Sequence, residues 1–173
     1  MTYAPPPAFR LMFGWMFPPA PVSFEMARPD DTPALQAVHA ASFAHDWSVD
    51  ELASLIGEPN VLCLVAKRAN GFGTRRPVGF LLLRVAVDEA EVLTIAIDPR
   101  RRGRGYGRQL MLAGIERLVR RGVASLFLEV DEGNSSAVAL YQRLGFVRVG
   151  VRKGYYQTAS GEKATALVMR LDL

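Results

Sequence analysis

The chain has 173 residues, 50 % of them hydrophobic and 22 % charged, with a net charge of +4 and an isoelectric point near 9.6. That length holds one sizeable core rather than two domains, and that apolar content argues against a disordered chain. The lone cysteine, Cys63, excludes an intrachain disulfide and a thiolate metal centre; His39 and His45, without supporting carboxylates, read as structural or solvated, so no metal is expected.

Residues 1–21, MTYAPPPAFRLMFGWMFPPAP, place prolines on both sides of a short apolar stretch, Phe9 to Phe17. The stretch is too short to span a bilayer and ends in Pro18 and Pro19 rather than in a small-residue cleavage site. It is expected to be a poorly ordered extension rather than a secretory signal, with Met12, Met16 and Met26 as alternative starts. From Val22 to the C-terminus a single α/β (α+β) domain is expected, with helices alternating with strands.

The first strand is VSFEM, turning at RPDD. TPALQAVHAASFA, residues 32–44, predicts a helix with Thr32 as N-cap and Pro33 at its first position. A second helix is predicted at Val49 to Ile56. Strands follow at Val61 to Lys67, Val78 to Val87 and Glu91 to Ile97; RANGFGTRRP loops between the first two and DEA turns a hairpin between the others. Within VLCLVA, Cys63 reads as a small buried hydrophobe, which with the absence of other cysteines suits a reducing compartment, the cytoplasm. Leu110, Met111, Ile115, Leu118 and Val119 recur at helical spacing and end in Arg120, Arg121 and Gly122, cations and a glycine stop. SLFLEV is a strand, and NSSAVALYQRLG a helix capped by Asn134 and closed by Gly145. Two strands, FVRVGVR and ATALVMRL, complete a mixed sheet.

RRRGRGYGRQLM, residues 100–111, carries the chemistry. It lies between a strand and a helix, so its amides emerge from a helix N-terminus, where unpaired N–H groups and the helix dipole bind phosphate. Gly103, Gly105 and Gly107 leave the backbone bare for close approach, which suits a pyrophosphate. A Walker loop needs Gly-Lys-Ser/Thr, but Arg108 and Gln109 follow Gly107. A dinucleotide fingerprint needs a third glycine where Arg108 stands, although Glu129 lies about 20 residues on, where that fingerprint places its carboxylate. A disordered RNA-binding arginine-glycine tail would be repeated and interleaved with aromatics; this stretch is single and flanked by regular structure, so no direct nucleic-acid binding is expected.

Arg102-Gly103-Arg104-Gly105-Tyr106-Gly107 instead resembles the Arg/Gln-x-x-Gly-x-Gly/Ala signature of the GCN5-related N-acetyltransferase superfamily, in which the loop cradles the pyrophosphate of acetyl-coenzyme A. The resemblance runs from about Val22 to the end. EAEVLTIAIDPRRRGRGYG, LEVDEGNSSAVALYQRLGF, VRKGYY and HAASFAHDWS are similar, in order, to segments of the RimI-type ribosomal-protein-alanine N-acetyltransferases. It implies a central, mostly antiparallel twisted sheet flanked by about four helices and splayed between its two central strands.

It also implies roles. Glu129, the one charged residue within SLFLEV, is the candidate proton acceptor, since a carboxylate in an apolar strand is functional or held in an ion pair with an arginine. Tyr141 is the candidate acid. A phenol near pKa 10 needs a small step to protonate a thiolate whose acid resembles cysteine at about 8.5; the other reading is a core tyrosine. Ile95, Ala96 and Ile97 would offer backbone amides to the pantetheine and the acetyl carbonyl. Arg102 to Gly107, Arg108 and Asn134 would contact the coenzyme, while Trp47, Tyr155 and Tyr156 would wall a slot for the acceptor. The implied acceptor is a protein or peptide N-terminus, that of a small-subunit ribosomal protein. No membrane partner and a monomer or weak dimer are expected. Alternatives are a small-molecule amine or antibiotic acetyltransferase, and a non-catalytic acyl-coenzyme A sensor or RNA-associated module. Two departures from the subfamily lie near the expected peptide groove: Asp131 where a cation is common, and Ala164 and Thr165 where an acidic pair is common.

Overall fold

A computed structural model describes residues 21–44, 47–69, 74–157 and 163–173, with the backbone alone for 153–157 and 163–164. The expectations for residues 1–20, for His45 and for the side chains of Tyr155 and Tyr156 lie outside the described residues. The strands are β1 (Val22–Met26), β2 (Val61–Ala69), β3 (Arg75–Ala86), β4 (Glu89–Ile97), β5 (Ser125–Asp131), β6 (Val147–Gln157) and β7 (Lys163–Asp172). The described α-helices are α1 (Thr32–Ala40), α2 (Val49–Gly57), α3 (Tyr106–Arg120) and α4 (Ser135–Arg143).

The strands form one sheet in the order β1-β2-β3-β4-β5-β7-β6, antiparallel except for β4 with β5. Both faces are covered over β2 and β3, and the sequence shows why. In β2, Leu62, Leu64 and Ala66 join the core containing Leu110, Met111 and Leu118 of α3, while Val61, Cys63 and Val65 join Leu35, Val38 and Leu52 of α1 and α2. Period-two alternation in an unbroken apolar run feeds two cores at once.

Some boundaries differ from expectation, each for a local reason. Thr32 is not the N-cap of α1. A 3-10 turn, Pro29–Asp31, precedes it, held by the Arg28 amide donating to Asp31 Oδ2 at 2.8 Å, so Thr32 is already helical. The helix stops at Ala40 rather than 44, where the Ser42 hydroxyl donates back to the Val38 carbonyl at 2.8 Å. β2 and β3 reach further into the expected loop because Pro77 is tolerated beside a bulge, the register jumping from Ala66↔Gly79 to Lys67↔Pro77. The β3–β4 turn falls at Val87 and Asp88 rather than at 88–90, and Val87 adopts φ 58, costly for a β-branched residue.

The expected splay is present. β4 pairs with β5 only at Glu89↔Ser125, Ala90↔Leu126 and Glu91↔Phe127. Immediately beyond, Leu93 is the extra residue of a bulge, since Leu83 faces Val92 and Leu82 faces Thr94. A bulge bends and twists its strand. The outer half of β4 therefore follows β3, while β5 continues along β7 to Asp131↔Ala166.

Candidate active site

The gap between the diverging strands opens into a cleft of about 1060 Å³. Its walls are Val92 to Ile97 of β4, Leu128 to Asp131 of β5, the start of α3 with its preceding loop, one face of α4, and Ser42 to Ala44 beyond α1.

At one end lies the arginine-glycine loop. Gly105 caps α3 with φ 79, and Gly103 has φ 72, so both occupy backbone conformations that a side chain would strain. Gly107 differs: a Cβ there would meet Leu140 and Ile97 only at 3.7 and 3.9 Å, so nothing in the protein demands glycine. The first intrahelical bond of α3 runs from Gln109 N–H to the Gly105 carbonyl at 3.1 Å, so the amides of the first turn have no intrahelical partner. The arginines divide their work. Arg100 pairs with Asp98 at 3.2 Å, and Arg102 Nε donates to the Ile97 carbonyl at 3.3 Å. Arg101, Arg102, Arg108 and Arg143 line the cleft, whereas Arg104 does not. Asp98 caps a 3-10 turn, Pro99–Arg101; burial pushes its carboxyl up, but hydrogen bonds from Arg100 and the charges of Arg100 and Arg101 outweigh that and hold it low.

Glu129 and Tyr141 both line the cleft, from opposite faces of the sheet. Leu128 and Val130 enter the core beneath α3 and α4, so Glu129 and Asp131, alternating with them, face the side carrying α1 and α2. Tyr141 belongs to the α3–α4 side, 6 % exposed, its ring centroid 5.8 Å from that of Phe146. The ion pair weighed for Glu129 exists: Arg152 Nη1 of β6 lies 3.1 Å from its Oε1. Asn134 caps α4, its Oδ1 accepting from Ala137 N–H at 3.2 Å, and lines the cleft as well. An Asn amide can still donate while its oxygen accepts.

Trp47 is placed elsewhere. It is not among the cleft residues; its ring stacks on buried His39 with centroids 4.6 Å apart. That explains His39 as a packing residue. No cluster of His, Cys, Asp or Glu among the described residues is arranged to hold a metal. The sequence reading missed Ser42 to Ala44, Leu93, Thr94, Ser136, Leu140 and Arg143 as lining residues. Ser136, Leu140 and Arg143 recur at helical spacing on the face that carries Asn134, a usable signal; Ser42 to Ala44 reach the cleft only through folding.

A model of the Acetyltransferase (GNAT) family matches residues 26–146. The chain belongs to that family. It is an N-acetyltransferase, and its relatives agree. The [ribosomal protein bS18]-alanine N-acetyltransferase of Escherichia coli K12 is 36 % identical over 143 residues, 83 % of this chain and 92 % of that protein. The crystal structure of the ribosomal-protein-S18-alanine N-acetyltransferase from Escherichia coli superposes with a TM-score of 0.80 at 33 % identity, covering 88 % of this chain and 94 % of that one. A mycothiol acetyltransferase of Renibacterium salmoninarum is also 36 % identical, over 75 % of this chain but only 42 % of its own length.

Proposed function

We propose that the protein transfers the acetyl group of acetyl-coenzyme A to the N-terminal amine of a protein, in the manner of the ribosomal-protein-alanine acetyltransferases. The observation that carries this reading is the relation to the Escherichia coli enzyme, 36 % identical over 92 % of that enzyme's length. The cleft supports it. Bare first-turn amides, left-handed Gly103 and Gly105, and Arg101, Arg102, Arg108 and Arg143 suit a pyrophosphate and an adjacent phosphate, and a ligand lying against Gly107 accounts for a glycine the protein itself does not require. Residues 22–173 act as one domain in this reading, and the buried single thiol suits the cytoplasm.

Bound acetyl-coenzyme A supplies an electrophilic thioester. The outer half of β4, still paired with β3 but released from β5, turns alternate amides within Ile95 to Ile97 towards the acetyl carbonyl and the pantetheine. Glu129, on the opposite face, takes the proton of the acceptor ammonium through a water, and Arg152 fixes the carboxylate's orientation. Tyr141, on the coenzyme face, hands its proton to the departing thiolate. Such a division, coenzyme from one face and acceptor from the other, uses the splay as the meeting point.

The test is mass spectrometry after incubation with acetyl-coenzyme A, comparing peptides with free Ala, Ser, Met or Gly starts, N-blocked peptides carrying only lysine, and small amines. Acetylation confined to free Ala or Ser starts is expected. In Glu129→Gln, kcat should fall about 10²- to 10³-fold with the coenzyme dissociation constant unchanged. Full activity in that variant removes Glu129 from its role. Turnover of small amines alone would favour the small-molecule reading, to which the mycothiol acetyltransferase likeness gives some weight.

A further inference from the structure

A water that relays a proton must be held in line between donor and base. Glu129 offers such a water one hold, from β5, and its Oε1 is met by Arg152 of β6, on the side away from β4. A second hold has to come from the facing wall of the cleft, which is β4. Thr94 stands there. The last pair between the two strands is Glu91↔Phe127, and Glu129 is two residues further along β5. On β4 the extra residue of the bulge, Leu93, makes Thr94 the residue two ladder steps beyond Glu91, in the row that Glu129 occupies. Thr94 lies opposite Leu82, which joins the core under α1 and α2, so its side chain is on the same face of the sheet as Glu129.

The other hydroxyls of the cleft are committed or elsewhere. Ser42 Oγ donates to the carbonyls of Val38 and Ile97 at 2.8 and 3.4 Å, and Ser136, Tyr106 and Tyr141 belong to the α3–α4 side. Thr94 lines the cleft, is 8 % exposed, and its hydroxyl makes no hydrogen bond with the described residues. A hydroxyl in so closed a wall costs free energy unless something in the cleft bonds to it.

We infer that Thr94 is a positioning residue for proton removal, its hydroxyl holding the water that links the acceptor amine to Glu129. The inference rests on the proposed role of Glu129 as base. The water donates one hydrogen to the Glu129 carboxylate and the other to Thr94 Oγ1, and keeps a lone pair for an N–H of the acceptor ammonium. As that proton passes to the water, the water's own hydrogen passes to the carboxylate. The water is regenerated, Glu129 ends protonated and the nitrogen ends with its lone pair; Thr94 exchanges no proton.

The experiment compares Thr94→Val, which removes the hydroxyl and keeps the branched shape, with Thr94→Ser, which keeps the hydroxyl, each alone and combined with Glu129→Gln. It reads kcat and KM on the acceptor that the wild type turns over, peptide or small amine, together with the coenzyme dissociation constant and the melting temperature. In Thr94→Val kcat should fall about ten-fold, with KM and the coenzyme dissociation constant within about two-fold of wild type and melting no lower. Thr94→Ser should return kcat to within about three-fold of wild type. In Glu129→Gln, adding Thr94→Val should cost less than about two-fold, because a water with no base to serve relays nothing. Wild-type kcat in Thr94→Val, equal losses in Thr94→Val and Thr94→Ser, or the whole ten-fold loss retained in Glu129→Gln overturns the inference while leaving Glu129 as base. Full activity in Glu129→Gln removes the base and this inference with it.

Discussion

Gly79→Ala tests whether the course of β4 is set by close contact with β3. Gly79 sits opposite Ile97, and a Cβ there would lie 2.7 Å from the Ala96 carbonyl oxygen and against Ile97 Cδ1. The isoleucine methyl can rotate away; the carbonyl belongs to the backbone and must move. Bringing that contact to an ordinary 3.2–3.4 Å displaces β4 by roughly half an ångström, within the segment Ile95 to Ile97 that lines the cleft. Overpacking of this kind costs about 1–3 kcal/mol, partly offset by about 0.5 kcal/mol from the stiffer unfolded chain. The net, about 1.5 kcal/mol, lowers the melting temperature by roughly 3–6 °C for a chain of this size. Because the displaced strand carries the proposed carbonyl-binding amides, kcat/KM should also fall about ten-fold or more. Gly57→Ala is the companion: the last residue of α2 has nothing within 4 Å of its would-be Cβ, so stability should hold or rise by a few tenths of a kcal/mol with unchanged kinetics. Differential scanning calorimetry and steady-state kinetics read both. If Gly79→Ala melts no lower than Gly57→Ala and keeps wild-type kcat/KM, the contact does not set the strand.

Lys67→Met tests the ionic clasp between β1, β2 and the turn before α1, where Nζ lies 3.0 Å from Glu25 and 2.8 Å from Asp31 with a side chain 10 % exposed. Burial pushes the Lys67 amine down, but the hydrogen bonds and charges of Asp31 and Glu25 outweigh that and hold it above its ordinary value. Removal leaves Asp31 without its cation and Glu25 with the exposed Arg75 at 3.9 Å, and should cost about 2–3 kcal/mol at pH 7. A raised lysine contributes fully below its unfolded pKa of about 10.4, so the wild-type advantage should persist to about pH 10 and shrink above it in urea titrations. An advantage that grows with alkaline pH would contradict the clasp. Cys63 is the remaining case: burial, followed by the Asp31 charge, pushes its thiol up to about 12. Folded protein should leave Ellman's reagent unreacted between pH 7 and 9 and release one equivalent in guanidinium; rapid native labelling would show that the β2 core is open.

Local chemistry was legible in the sequence wherever one short segment suffices. Glycines between a strand and an amphipathic helix announce a phosphate loop because Gly103 and Gly105 need their positive φ within the loop itself. Asn134 and Gly145 mark the ends of α4 for the same local reason, and the unbroken apolar run VLCLVA marks a buried strand. The misplaced boundaries failed where a neighbour intervened, as at Pro77, which reads as loop until β2 is present to form the bulge beside it. The site was divided in the same way. Glu129 stood out as a charge in an apolar strand, but its partner Arg152 comes from β6, and which arginine would pair with it depended on the order β5-β7-β6. The cleft itself exists because the Leu93 bulge turns β4 away from β5, and Ser42 to Ala44 reach its mouth from the other face of the sheet. A residue's own conformational preference is written in its segment, whereas register, splay and charge pairing between strands far apart in sequence were decided only when the chain packed.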